Sequence, residues 1–372
     1  MKIRIERTDL LKALSHAQSV VERRHTIPIL ANALVEASGD AIHVRATDLD
    51  AEIDNQAPAK VERAGRITVP CALLHEITRK LPDGAQVMLA KEDQNQRLQV
   101  TAGRSRFDLP TLPDEDFPTM DSSEYETEFT MGSAALLRLF DKAKFAMSQE
   151  ETRYYLNGVY MHISQKDQGA VLCCVATDGH RLACIETELP EGAAEMASVI
   201  VPRKTVNELC KLLEDDAAEI RVSVSSTKLR FATAESVLTS KVIDGSFPDY
   251  ARVIPSNNAR KLTVDADDLA RAVGRVATVS SDRTRAVKLA LTADQVILSV
   301  TAADGGSGEE DLAIAYEGEP MEMGFNAKYL EEIAERIDHE NAVFLLGDSG
   351  DPALIRDGED DSALYVVMPM RV

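Results

Sequence analysis

Three times along its 372 residues the chain repeats one pattern. KIRIERTDLLKAL (2–14), EFTMGSAALLRLF (128–140) and KLTVDADDLARAV (261–273) each read as a short alternating strand, a turn with a Ser/Thr/Asp-type cap, and a helix. The repeats start 126 and 133 residues apart, so the repeating unit is a domain and not one turn of a solenoid. A second set supports the first: ITVPCALLHEITRKLPDGAQVML (67–89), VIVPRKTVNELCKLLEDDAAEIRV (199–222) and, more loosely, MEMGFNAKYLEEIAERIDHENAVFLL (321–346). Hairpin-like segments at 97–118, 228–250 and 352–370, each ending near a proline, close the units.

The pattern predicts an α+β fold of three tandem similar domains, 1–125, 126–256 and 257–372, with helices on one face of antiparallel sheets. The boundaries fall in segments of linker composition, PDEDFPTMDSSEYETE (113–128) and PSNNARK (255–261). No apolar run approaches the roughly 18 residues of a membrane span and the N-terminus lacks a signal-peptide core, which points to a cytoplasmic protein with no membrane partner. The five cysteines, Cys71, Cys173, Cys174, Cys184 and Cys210, form no C-x-x-C pair and read as reduced core residues.

A net charge of -21 argues against a uniformly basic, tightly nucleic-acid-binding surface, but the basic residues are not scattered. Lys12, Arg138 and Arg271 share one position in the three first helices, and His16, Lys142 and Arg275 follow one turn later. The opposite stripe is apolar in every copy, so the face away from the core is expected to be basic. Arg79 and Lys211 align in the second helices, with Lys80, Arg203 and Lys204 nearby, whereas the third copy is acidic. Such a strip could follow a phosphate backbone through weak, sequence-independent contacts.

Motifs that would imply chemistry are incomplete. GDSGD (347–351) is close to a serine-protease nucleophile segment, and Asp178, His180 or Ser349 could in principle serve a hydrolase. Yet ATDGHRLA (176–183) recurs as ATDLDAEI in repeat one without the histidine, which marks a structural corner. No phosphate-binding loop, zincin or EF-hand is complete, so no catalytic residue, cofactor or metal is expected.

RYYLNGVY (153–160), ATDGHRLA, VIVPRK (199–204), FPDYARVIP (247–255) and YVVMPMR (365–371) closely resemble the β subunit of bacterial DNA polymerase III, the sliding-clamp family, essentially end to end. The resemblance implies a DNA clamp fold in a head-to-tail homodimeric ring, helices lining the hole and sheets outside. The ring would encircle double-stranded DNA without chemistry of its own and confer processivity. It also implies a groove for short linear peptides of the polymerase III catalytic subunit, the clamp loader, other polymerases and repair factors. In this sequence that groove would take Arg153, Leu156, Thr177, Gly179, His180, Arg181 and Leu182. From later segments come Pro248, Arg252, Val253, Asn326, Tyr329, Val366, Met368, Pro369, Met370 and Arg371. Thr284 stands where well-known members carry an aromatic residue. For DNA the resemblance points to Arg24, Tyr154 and Tyr155.

Overall fold

A computed structural model describes residues 1–21, 26–91, 97–120, 124–167, 169–214, 219–280, 286–303 and 305–371. They pack into two compact units, the first holding 1–137 and 190–243 and the second 138–189 and 244–372. The division does not follow the sequence repeats: the first unit holds repeat one with part of repeat two, and the second unit holds the rest.

Each repeat opens as its periodicity predicts. In the strand Lys2–Glu6 the side chains of Ile3 and Ile5 are buried, and in α1 (Arg7–Val20) the stripe Leu10, Leu14, Ala17 faces the same core. The equivalent strands are Thr127–Gly132 and Arg260–Asp265, followed by α3 (Ser133–Lys144) and α5 (Ala266–Ala277). The second helices are α2 (Cys71–Lys80), α4 (Arg203–Glu214) and α6 (Ala327–Ala334). The expected caps appear only once among these first helices: Asp265 accepts the Asp268 N–H at 2.8 Å. Helix α1 follows Glu6, which makes no capping bond, and Ser133 is already helical with its hydroxyl unpartnered.

In the first unit, one sheet runs Lys60–Arg63, Lys2–Glu6, Gln86–Lys91, Arg97–Ala102, Ser105–Pro110. A second, of eight strands, runs Thr127–Gly132, Glu219–Val224, Lys228–Ala232, Ser236–Lys241, Ala51–Pro58, Ala41–Thr47, Asn32–Ser38, Gly65–Pro70. Repeat two meets repeat one here, because Ser236–Lys241 pairs antiparallel with Ala51–Pro58. The second unit repeats the device. Gly158–Lys166, Gly169–Thr177 and Arg181–Glu188 of repeat two continue into Ala363–Val367, Ala353–Asp357, Asn341–Leu346 and Arg260–Asp265 of repeat three. A four-stranded sheet, Ser307–Ala313, Gln295–Thr301, Ala286–Leu291, Met321–Asn326, completes it. Joining repeats edge to edge satisfies main-chain groups that would otherwise be exposed. Helix α1 lies on α2 within the first unit, and α5 on α6 within the second.

Candidate peptide groove and basic faces

The corner motif that recurs in sequence recurs in geometry. In the second unit the Thr177 hydroxyl donates to the Arg181 carbonyl at 2.6 Å and accepts the Gly179 N–H at 3.1 Å. Asp178 Oδ1 accepts the N–H groups of His180 and Arg181 at 2.9 and 3.0 Å. In the first unit Thr47 bonds to the Ala51 carbonyl (2.8 Å) and the Leu49 N–H (3.0 Å), and Asp48 accepts from Asp50 and Ala51. The third position takes positive φ in both, +90° at Gly179 and 78° at Leu49. This is turn chemistry of Asp and Thr, and it occupies Asp178 fully. Ser349 lies in the loop between Asn341–Leu346 and Ala353–Asp357, whose aspartates are engaged with the loop itself and with Arg260.

From that common corner the strands diverge in chemistry. Leu182 lies opposite Val366, as Glu52 lies opposite Thr239. Counting back from Thr177 and Thr47 equates Val175 with Arg45 and Cys173 with His43, and counting forward equates Cys184 with Asp54. In the first unit these positions carry charge: Arg45 pairs with Asp54 at 2.7 Å, and burial pushes the Glu52 carboxyl up. In the second unit the same positions form an apolar cluster of Cys173, Val175, Leu182, Cys184, Leu354 and Val366. Among the described residues, this junction of two repeats presents an apolar cleft where its first-unit counterpart is charged.

That cleft is a cavity of about 230 Å³. Ten of its lining residues are ones the sequence resemblance implies: Leu156, Thr177, Gly179, His180, Arg181, Leu182, Pro248, Val253, Val366 and Met368. Asp249 and Tyr250 also line it, and sequence reasoning passed over both although they stand inside FPDYARVIP. The linker segment of that motif is held by stacking, Phe247 on Tyr160 with centroids 4.8 Å apart and Tyr160 on His162 at 4.5 Å. The C-terminal tail forms the far wall. After Val367 the Met368 N–H donates to the His180 carbonyl and the Met370 N–H to the Gly324 carbonyl, both at 2.8 Å. Met368 is 41% exposed, so it is wall and not core.

The remaining implied residues do not line the cavity. Arg153 donates to the Asp178 carbonyl at 3.3 Å and pairs with Glu150. Arg252 is exposed and pairs with Asp249. Asn326 caps α6 through the Lys328 N–H, while Pro369, Met370 and Arg371 extend the tail beyond the cavity. Arg181 is a buttress: its side chain, 8% exposed, pairs with Asp178 and Glu332, donates to the Phe145 carbonyl and lies 4.2 Å from the Tyr329 ring centroid. Its guanidinium is therefore spent on the fold and not free for a ligand.

The basic faces need a sharper correction. Lys142, expected on an open face, is buried: its side chain is 7% exposed, pairs with Asp338 at 2.6 Å and donates to the Arg336 carbonyl. His16 is buried as well. Arg138 is held by Asp360 and Ser362, and Lys204 by Asp48 and the Val20 carbonyl. The cations that do stay exposed are each paired locally: Lys12 with Glu235, Arg79 with Glu76, Lys211 with Glu208, Arg271 with Asp268 and Arg275 with Glu310. Arg203 is half-buried. Tyr154 is 54% exposed and meets the half-buried Tyr155 edge to face at 5.7 Å. Arg24 and Thr284 lie outside the described residues.

Three family descriptions cover the chain in order: the N-terminal domain of the DNA polymerase III β subunit over residues 1–121, the central domain over 130–249 and the C-terminal domain over 251–371. The chain is 49% identical over 372 residues to a beta sliding clamp of Caulobacter vibrioides, and 37% identical over 373 residues to that of Escherichia coli. All of this chain and of each relative is covered in both matches. A sliding clamp of Bartonella birtlesii solved bound to griselimycin is 45% identical and superimposes with a TM-score of 0.95 over 100% of both chains. The Caulobacter crescentus clamp, with polyethylene glycol in a putative motif-tethering region, is 49% identical with a TM-score of 0.95 over 100% of this chain and 99% of that one. The three repeats read from the sequence, joined edge to edge and carrying this groove, place the chain in the β-subunit, or sliding-clamp, family of bacterial DNA polymerase III.

Proposed function

We propose that the chain acts as a DNA sliding clamp, a ring that holds the replicative polymerase on double-stranded DNA. Members of this family are processivity factors and not enzymes, and DNA polymerase activity belongs to the holoenzyme. In keeping with that role, the corner that holds Asp178 and His180 is a hydrogen-bonded turn with a repeat-one counterpart. The single observation that carries the partner-binding reading is the apolar cleft between Leu182, Val366 and Met368, whose repeat-one counterpart is charged. An apolar anchor of a short peptide would enter there, and Met368 can repack around differing anchors.

The homodimer reading takes two of the several strands that end a sheet among the described residues, Ser105–Pro110 of repeat one and Ser307–Ala313 of repeat three. Head-to-tail pairing of one edge with the other in a second copy would close a ring and leave neither exposed. For DNA, Lys12, Arg79, Lys211, Arg271 and Arg275 are the exposed cations in reach of a phosphate backbone. Each shares its charge with an acidic neighbour, which favours weak, mobile contact over tight binding. Within the described residues no helix is long and apolar enough to cross a membrane.

The test is topological. Once loaded, the protein should stay on nicked circular DNA and run off when that DNA is linearised. Equal retention on both forms would overturn the ring mechanism. A labelled polymerase peptide should bind the clamp and be displaced by Leu182→Glu; unchanged affinity would overturn the groove assignment.

A further inference from the structure

Behind the groove, three neighbouring strands bring together groups that their spacing in sequence keeps apart. His162 lies directly opposite Cys173 across one strand pair, and Cys184 lies on the next strand, diagonal to Cys173. The two sulfurs are 3.3 Å apart, and Glu186 Oε1 stands 3.9 Å from Cys184 Sγ. One ligand atom from each of Cys173, Cys184 and Glu186 falls within 4.8 Å of the others. His162 Nδ1 faces the Ile163 carbonyl at 3.1 Å, which fixes the proton there and leaves the Nε2 lone pair to accept from the Tyr250 hydroxyl at 3.0 Å. A backbone carbonyl on one ring nitrogen and an accepting lone pair on the other is how a ligating imidazole is oriented, and a metal would take the place of the Tyr250 hydroxyl at Nε2.

We propose that Cys173, Cys184, His162 and Glu186 form a site for one thiophilic divalent cation of the zinc class. Two thiolates, an imidazole and a carboxylate are the donor set such an ion takes, and a tetrahedral metal about 2.3 Å from each sulfur would hold the pair roughly 3.8 Å apart, about half an ångström wider than the present 3.3 Å. A disulfide fits less well, because diagonal neighbours on antiparallel strands sit roughly 7–8 Å apart, past the reach of a relaxed bridge. Lys166 pairs with Glu186 at 2.6 Å from outside, which sets a positive charge beside these donors. Tyr250, which also lines the groove, closes the site on the linker side. The proposal is independent of the clamp's action on DNA.

Cobalt(II) titration of the reduced full-length protein tests it. One equivalent per chain should give a thiolate-to-metal charge-transfer band that zinc(II) abolishes, and Cys184→Ser and His162→Asn should each weaken binding at least tenfold, while Cys71→Ser leaves it unchanged. In wild type, zinc(II) should shield Cys173 and Cys184, but not Cys71, from alkylation during mild unfolding, a readout that needs no variant. Absence of both the band and the shielding overturns the proposal. So does a cobalt band that survives Cys184→Ser, or a Cys173–Cys184 disulfide forming in air in protein that takes up no metal.

Discussion

Leu182 of repeat two and Val366 of repeat three face each other across an antiparallel strand pair, and both line the candidate groove. A candidate binding site thus arises where two domains share a sheet. The tail that follows Val366 then folds over to finish the wall, tied at His180 and Gly324.

Removing residues 368–372 should weaken a bound polymerase peptide at least tenfold, which is about 1.4 kcal/mol. The fold should persist, because the last fully buried residue of the strand is Val367. Fluorescence anisotropy with the peptide, beside a circular dichroism melt, separates the two effects; full peptide affinity in the truncated chain would contradict the assignment.

Gly179→Ala should destabilise the second unit by about 1–3 kcal/mol. The residue holds φ +90°, and a Cβ there would come within 2.9 Å of Arg153 Nη1. Because the side chain of Arg153 can swing away, the backbone strain is the larger part. A shift in urea midpoint with unchanged slope is the expected signature.

Two lysines that look alike in sequence should behave oppositely. Lys142→Ala should cost about 1–3 kcal/mol, since it empties a buried position and strands the Arg336 carbonyl. Lys80→Ala should leave stability within about 0.5 kcal/mol, since both it and its partner Glu76 are exposed on α2. Retention on circular DNA should respond to salt more steeply in wild type than after Lys211→Ala combined with Arg275→Ala.

Asp357 sets a pH window. Its burial works against the charge, but N–H groups of Glu359, Asp338 and His339 and the His339 ring hold its pKa below the ordinary aspartate range. Its contribution is therefore complete above about pH 4 and lost as pH falls through the lowered value. His339 is raised by the same hydrogen bond, so its contribution is complete below about pH 6.5 and lost as pH rises through the raised value. Wild type should be most stable relative to Asp357→Asn between those limits, and urea midpoints measured across the range should converge on the acid side.

The three repeats, their strand and helix order and the buried stripes of α1 and α5 were legible because each rests on local periodicity, which a sequence displays directly. Turn chemistry was legible too: the two Thr-Asp corners are built by residues within four positions of one another. That ten of the named residues line one cavity was not legible in local pattern, since the cavity depends on which strand of repeat three lies against Arg181–Glu188.

By itself the sequence determined a tandem α+β chain with basic residues at matching helix positions. Tertiary structure decided which of those are usable: Lys142 and Arg138 stand at positions equivalent to exposed Arg275 and Arg271, yet Asp338 and Asp360, some two hundred residues away, claim them. It likewise set Cys173 beside Cys184 and His162, a neighbourhood that cysteine spacing concealed. The physical reason is the same in each case. Helix and strand periods fix which way a side chain points, but burial and pairing depend on strand register and packing between distant segments, which no local pattern encodes.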